Sequence, residues 1–345
     1  MSFCRNPASQ KALRASSTRR FLLLVLRQKS YGKIRKLFLN SSLVARVFDF
    51  VVDKSPNLFA ADGEINKAKI KWYRQILRLI ALIHDLGHPP FSHAGEELMP
   101  NKKKHEDYTK EIIKTPEIKN IIASIGHSLH NKLMRELGIS LETLEKNKIS
   151  PITSDLLWMI YGEKPGTAEE YIYPDFLFLK SFMDGELDCD KMDYLLRDSH
   201  YCGVTYGTYD LNRFISALVP YQDKENNTLE LAINSGGVQA FEEFVLARYF
   251  MFIQVYFHRT RRHLDRLLVM AMKDILAKGE LPTHVDCYLQ WDDVRSIQAM
   301  KSRGTENTNN FISRKIMHCI YETPAHAKKQ REYRSVRAKI EELII

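Results

Sequence analysis

The chain has 345 residues, 44% of them hydrophobic and 27% charged, with a formal net charge of +9. That length can bury a large core in one big domain with an appendage, or in two domains. The apolar runs 21–26 and 76–83 fall well short of a bilayer span, and five cysteines without Cys-x-x-Cys spacing argue against a disulfide framework or a thiolate zinc site. No membrane segment is expected, a reducing cytoplasm is the expected location, and the excess positive charge suits an anionic partner, nucleotide or nucleic acid.

The charge is unevenly placed. No acidic residue precedes Asp49, whereas Arg5, Lys11, Arg14, Arg19, Arg20, Arg27, Lys29, Lys33, Arg35, Lys36 and Arg46 are all basic. Residues 1–48 therefore read as an atypical basic segment, 49–275 as the main domain and 276–345 as a helical C-terminal region. From Gln75 onward, apolar residues return every three or four positions, as in Tyr108, Ile112 and Ile113, or Phe244, Val245, Tyr249, Ile253 and Tyr256. Strand-like alternation is confined to a short hairpin around 228–234, ahead of Gly236 and Gly237. The predicted fold class is all-α, a helical bundle with one minor β-hairpin and a helical C-terminal extension. Loops are predicted at 55–62, 99–104, 162–167, 222–227 and 301–310, where Pro, Gly, Asn and charge accumulate. Beyond the last of these, the basic stretch with Lys328, Lys329 and Arg331 reads as a solvated face or oligomer contact rather than a nucleic-acid arm.

The most informative segment is His84-Asp85-Leu86-Gly87-His88-Pro89-Pro90-Phe91-Ser92-His93, directly behind the apolar run 76–83. An isolated His-Asp pair can be a core histidine beside a capping carboxylate. Followed by His88, His93 and His105, it points instead to a divalent cation, because imidazole nitrogen and carboxylate oxygen suit Mn, Fe, Co, Ni and Zn alike. The predicted helix delivers His84 and Asp85 and ends at the Gly87-to-Pro90 step, leaving the later histidines on a loop. Cys189 lies between Asp188 and Asp190 and reads as a small packing residue.

This segment, followed downstream by Glu186-Leu187-Asp188-Cys189-Asp190-Lys191-Met192-Asp193-Tyr194-Leu195-Leu196-Arg197-Asp198, resembles the HD-domain phosphohydrolases, and within them the deoxynucleoside triphosphate triphosphohydrolases. The resemblance spans roughly residues 15–275 and implies a metal-dependent enzyme that releases triphosphate and a deoxynucleoside. It implies His84, Asp85 and Asp190 as ligands of a divalent ion (Mn, Mg, Fe, Co, Ni or Zn). His93 would be the acid to the leaving 5′ oxygen, supported by His105 and Glu96, with His88 contacting phosphate. The same resemblance gives Lys191 and Arg248 to the triphosphate and Tyr194 and Asp198 to the sugar; Tyr256, His258 and Arg259 read as substrate-binding beside Arg248, and Arg20 as a further phosphate contact if an N-terminal helix forms. Tyr256, His258 and Arg259 follow Arg248 on what reads as one long helix, while Asp193 and Arg197 read as a structural ion pair. Relatives assemble into homo-oligomers, so an oligomer is expected. The family's pattern also has a histidine ligand on an earlier helix, in a string like Arg-Phe-x-His-Ser-Leu-Gly. Against Arg20-Phe21 this chain has Leu23 there, and no histidine precedes His84. Losing that donor would weaken the metal site, so the alternatives are hydrolysis of another nucleotide or a catalytically impaired nucleotide-binding protein.

Overall fold

Helix α1 (Tyr31–Lys54) and helix α2 (Lys67–Ile83) each carry an apolar stripe at three- and four-residue spacing, and the fold starts where those stripes meet. In the computed structural model, which describes residues 31–61, 64–65, 67–122, 124–125, 178–223 and 228–317, Val44, Val47, Phe48 and Val51 face Trp72, Tyr73, Ile76, Leu77 and Ile80, all buried. Phe48 and Val51 belong to one buried stripe, so the core runs straight through residue 48. Each such side chain stabilises by about 1.5–3 kcal/mol before the entropy of ordering it is subtracted. A two-residue pairing of β1 (Ala60–Ala61) with β2 (Glu64–Ile65) bridges the two helices.

Helix α3 (His105–Lys114) follows the histidine loop, and α4 (Cys189–Cys202) packs across α1, adding Cys189, Met192 and Leu195 to the same core. After α5 (Leu211–Ala217), the predicted hairpin is present. Antiparallel β3 (Leu218–Asp223) and β4 (Thr228–Ile233) run in register from Leu218↔Ile233 to Asp223↔Thr228. Its first strand was not evident from sequence because Pro220 lies within it, a residue that sheets accept at an edge. The predicted all-α class therefore holds, with two short antiparallel strand pairs among the described residues.

The long helix predicted from Arg248 onward is broken. Helix α6 (Val238–Met251) widens into a π turn at Phe252–Tyr256 and ends. His258 then adopts an extended ψ of 133° and caps α7 (Arg259–Ile275), its Nδ1 accepting from the Thr260 N–H at 3.3 Å. The wide turn and the cap re-aim the chain, so Arg248 and Tyr256 lie on one side of the break, and His258 and Arg259 on the other.

The predicted 301–310 loop shrinks to a two-residue junction between α9 (Asp293–Arg303) and α10 (Glu306–Ile312). Gly304 closes the first helix at φ 63°, and Thr305 caps the second. Thr305 and Asn307 donate to Asp274 of α7 at 2.5 and 3.1 Å. Gly, Thr and Asn here punctuate helices rather than melt them. A second core cluster joins Leu98 and Tyr108 to Leu268, Val269 and Met272 of α7 and to Met300 of α9. Tyr288 of the short helix α8 (Val285–Tyr288) belongs to it too, stacking on Tyr108 at 3.9 Å. The C-terminal region thus packs against the histidine loop itself. The predicted 162–167 loop and the Lys328–Arg331 stretch lie outside the described residues.

Candidate active site

The sequence placed His84 and Asp85 on a helix, whereas α2 ends at Ile83 and the pair sits in the tight turn just after it. The His84 N–H still bonds to the Ile80 carbonyl at 2.9 Å, which fixes the turn as a continuation of the helix axis. Gly87 permits the next step, because its N–H donates to Thr109 Oγ1 at 2.8 Å and Thr109 Oγ1 donates to the His84 carbonyl at 3.0 Å. Thr109, fully buried on α3, therefore clamps the turn from below; nothing in the sequence marked it. Phe91 and Ser92 then take left-handed backbone at φ 62° and 57°. That conformation is strained in non-glycine residues, and the Phe91 N–H is held by Asp293 Oδ1 at 2.8 Å.

His84 and Asp85 meet the far motif. His84 Nε2 stands 3.3 Å from Asp85 Oδ1 and 3.9 Å from Asp190 Oδ1, two elements brought together across more than a hundred residues of chain. His84 Nδ1 lies 3.1 Å from the Ile80 carbonyl. That contact assigns the ring proton to Nδ1 and leaves Nε2 as a lone-pair donor. Nε2 is buried and has no hydrogen-bond partner. A buried ring nitrogen beside two carboxylates is a donor set of the kind a divalent cation takes.

Alongside lies a second cluster. His88, His93, Glu96 and His105 each offer an atom within 4.8 Å of the others, close enough for proton exchange or for a cation. Glu96 Oε1 is the hub, 2.7 Å from His105 Nδ1, 3.0 Å from His93 Nδ1 and 3.5 Å from His88 Nδ1. Burial pushes the Glu96 carboxyl up, but hydrogen bonds from His105 and then His93 outweigh it and hold the group well below the usual carboxylate range. His88 is sandwiched between Asp85 and Glu96 and stacks on His105 at 3.8 Å. Burial lowers its pKa to about 4 despite the neighbouring Asp85, so it is neutral at physiological pH. A phosphate contact from His88 would be a neutral N–H donor, not a cation. His93 differs, with 69% of its side chain exposed.

The depressed Glu96 carboxyl carries a stability consequence. Its contribution is fully present above the unfolded carboxylate pKa and is lost as pH falls through and below that value toward the folded one. Glu96→Gln is expected to lower Tm at pH 6–7, with the gap to the parent protein closing as pH falls below about 4.3; thermal melts across that range check it.

Of the proposed substrate residues, the structure gathers some and not others. The pKa of the Tyr194 hydroxyl is raised by burial, with the nearby Arg248 charge working against that rise, and its ring faces Tyr256 edge-on at 6.0 Å. The Tyr256 hydroxyl donates to Asp198 Oδ2 at 3.0 Å, and Asp198 Oδ1 accepts from Arg197 at 2.5 Å. Arg197 also pairs with Asp193 at 2.9 Å, the expected structural ion pair. Arg248, Tyr194, Tyr256 and Asp198 thus form one connected wall. Lys191 instead turns inward, its Nζ 2.6 Å from Asp188 Oδ2 and 2.5 Å from the Gly185 carbonyl. Asp188 caps α4 by accepting from the Lys191 N–H at 2.7 Å. His258 is committed to capping α7, and Arg259 is exposed on that helix's first turn. Arg20 and Leu23 lie outside the described residues.

The α1 residue that meets the site is Asn40. It is fully buried, and its Nδ2 donates to Asp190 Oδ1 at 3.1 Å. The sequence reading sought the earlier-helix position at Leu23 and passed over Asn40, because an asparagine in Leu39-Asn40-Ser41-Ser42 looks like an ordinary polar residue.

The sequence model of the HD domain matches residues 67–161, and that of the HD-associated region matches 209–337. The Bacillus subtilis protein YwfO is 29% identical over 228 residues, covering 64% of this chain and 43% of its own length. The deoxynucleoside triphosphate triphosphohydrolase SAMHD1 of Mus musculus is 31% identical over 168 residues, 44% of this chain and 23% of that protein. The chain thus spans less than half the length of these curated relatives. A crystal structure of a hypothetical protein from Aquifex aeolicus superposes with a TM-score of 0.60 at 27% identity, covering 92% of this chain and 75% of that one. A Bacteroides thetaiotaomicron phosphohydrolase shares the fold at a TM-score of 0.57 and 20% identity. With the His84-Asp85 turn inside the first matched region and the wall residues Arg248 and Tyr256 inside the second, the chain belongs to the HD-domain phosphohydrolase superfamily.

Proposed function

We propose that the protein hydrolyses deoxynucleoside triphosphates to deoxynucleoside and triphosphate. The observation that carries the reading is the buried, partnerless His84 Nε2 facing Asp85 and Asp190, beside a histidine relay centred on Glu96. A divalent ion held by His84, Asp85 and Asp190 would neutralise charge on the phosphoryl oxygens and bind the attacking water. His93, held through Nδ1 by Glu96, presents Nε2 as the proton donor to the leaving 5′ oxygen; His105 fixes Glu96 from the other side. Arg248 would meet phosphate charge, and Tyr194, braced by Tyr256, would supply a flat face for the deoxyribose, with Asp198 as acceptor for its 3′ hydroxyl. Lys191, His258 and Arg259 have less direct roles in this reading than their sequence positions imply.

Incubating the protein with each dNTP and Mn²⁺ and resolving triphosphate from pyrophosphate and orthophosphate tests the proposal. Triphosphate is the expected product, with His93→Ala slowing turnover by about 10²–10⁴-fold. Orthophosphate or pyrophosphate as first product would move the cleaved bond to a phosphoanhydride, and no turnover of any dNTP would move the substrate assignment to another nucleotide. The row of exposed apolar residues Val245, Leu246, Tyr249, Phe250 and Ile253 on and just after α6 supports a homo-oligomer. Among the described residues, no helix is long and apolar enough to cross a membrane.

A further inference from the structure

We propose that Asn40 is the fourth protein group of the metal centre, ligating through its side-chain amide oxygen. The resulting set has one nitrogen and three oxygen donors, which suits a hard divalent cation such as Mn²⁺ or Mg²⁺. The inference rests on the metal-dependent hydrolase reading above and deepens it.

Asn40 is fully buried on α1, yet its Oδ1 has no hydrogen-bond partner. Buried amide oxygens are nearly always paired, so an orphan of this kind asks what the folded site is built to receive. Its location narrows the answer. Asn40 Nδ2 lies 3.1 Å from Asp190 Oδ1, the same oxygen that stands 3.9 Å from His84 Nε2. His84 Nε2 is likewise buried without a partner, and its ring proton is committed to Nδ1. One carboxylate oxygen is therefore flanked by two side chains that each hold an unpaired acceptor atom, with Asp85 adding a second carboxylate 3.3 Å from His84. Two unpaired acceptors and two carboxylates cannot satisfy one another. They can converge on a cation, because every one of them is a donor of electron pairs.

The amide also sets the character of the site. Replacing a neutral imidazole by an amide oxygen removes a borderline nitrogen ligand and adds a hard oxygen, and carbonyl, carboxylate and water ligands favour Mg and Mn over Zn, Ni or Cu relative to an imidazole-rich site. With its N–H₂ donating to Asp190 and its Oδ1 left for the ion, one residue would both orient a ligand and be one.

Calorimetric titration of Mn²⁺ and of Zn²⁺ into the metal-stripped full chain tests this without reference to turnover. Asn40→Ala is expected to weaken Mn²⁺ binding by about 10–100-fold, Asn40→Asp to retain it, and Asn40→His to shift preference toward Zn²⁺. Should the alanine variant melt early in the metal-free state, Asn40→Thr, which removes the amide while keeping a small polar side chain, takes its place with the same expectation. Mn²⁺ affinity within twofold of the parent in a folded Asn40→Ala or Asn40→Thr protein overturns the ligand assignment. His84→Ala separates the two readings: if it too leaves Mn²⁺ binding unchanged, the metal centre itself is misplaced, whereas if it abolishes binding and Asn40→Ala does not, only the Asn40 inference fails.

Discussion

Asp190→Ala is expected to remove the bound divalent ion and to lower kcat/KM for dNTP hydrolysis by at least about 10³-fold, equivalent to about 4 kcal/mol of transition-state stabilisation. Asp190 is the point where three elements meet, since its Oδ1 is approached by Asn40 from α1 and by His84 from the turn after α2 while its own backbone belongs to the first turn of α4. Removing it leaves the adjacent His84 and Asp85 with only the neutral Asn40 amide, a set with a single negative charge and too weak to hold an ion against water. The fold should survive. An acidic residue in the first turn of a helix contributes only about 0.3–1 kcal/mol through the helix dipole, and the Asp188 cap of α4 is untouched. The measurement is therefore metal content by mass spectrometry beside steady-state kinetics, with circular dichroism confirming an intact helix content. A variant that keeps its ion and loses less than tenfold in rate would mean that Asp190 is a spectator and the centre lies at the Glu96 cluster instead.

Much of this site was legible in the sequence because its chemistry is local. His84 and Asp85 are adjacent, His88, His93 and Glu96 follow within one loop, and α4 carries Asp190, Tyr194 and Asp198 at helical spacing. Periodicity also gave the helical class and the position of the hairpin. What sequence could not give was anything decided by a change of backbone direction. The break between Tyr256 and His258 depends on a π turn and a cap, both compatible with an unbroken apolar stripe, so Arg248 and His258 looked like neighbours when they are not. Lys191 looked like a phosphate ligand by position, but its Nζ donates to Asp188 and to the Gly185 carbonyl. Asn40 and Thr109 were missed for a related reason. Neither residue type is rare, and each acquires its role only when a distant helix delivers it, Asn40 to Asp190 and Thr109 to Gly87.

Gly87→Ala is expected to be the most damaging single methyl group that can be added to the site. A Cβ at Gly87 would sit 2.0 Å from the His105 carbonyl oxygen, 2.3 Å from the Thr109 nitrogen and 2.8 Å from Thr109 Oγ1. Two of those are backbone atoms of α3, so no rotamer change relieves the clash; the helix itself must move. The displacement would lengthen the Gly87 N–H to Thr109 bond, the Thr109 to His84 carbonyl bond, and the 2.6 Å bond from the Tyr288 hydroxyl to the Gly87 carbonyl. Overpacking of this kind costs about 1–3 kcal/mol and more when backbone cannot yield, so a Tm loss of roughly 2–12 °C is expected at about 2–4 °C per kcal/mol. Activity should fall further than stability predicts, because the same shift carries His105 away from Glu96 and tilts His84 off its carboxylates. Gly304→Ala is the control. It meets open space, and its penalty comes only from a φ of 63°, about 1 kcal/mol for an alanine forced into the left-handed region. If differential scanning calorimetry finds the two substitutions equally costly, the turn is not held against α3 as tightly as the Thr109 clamp implies. A larger loss at Gly87, accompanied by weaker metal binding, would show that the HD turn keeps its geometry only because no side chain stands between it and that helix.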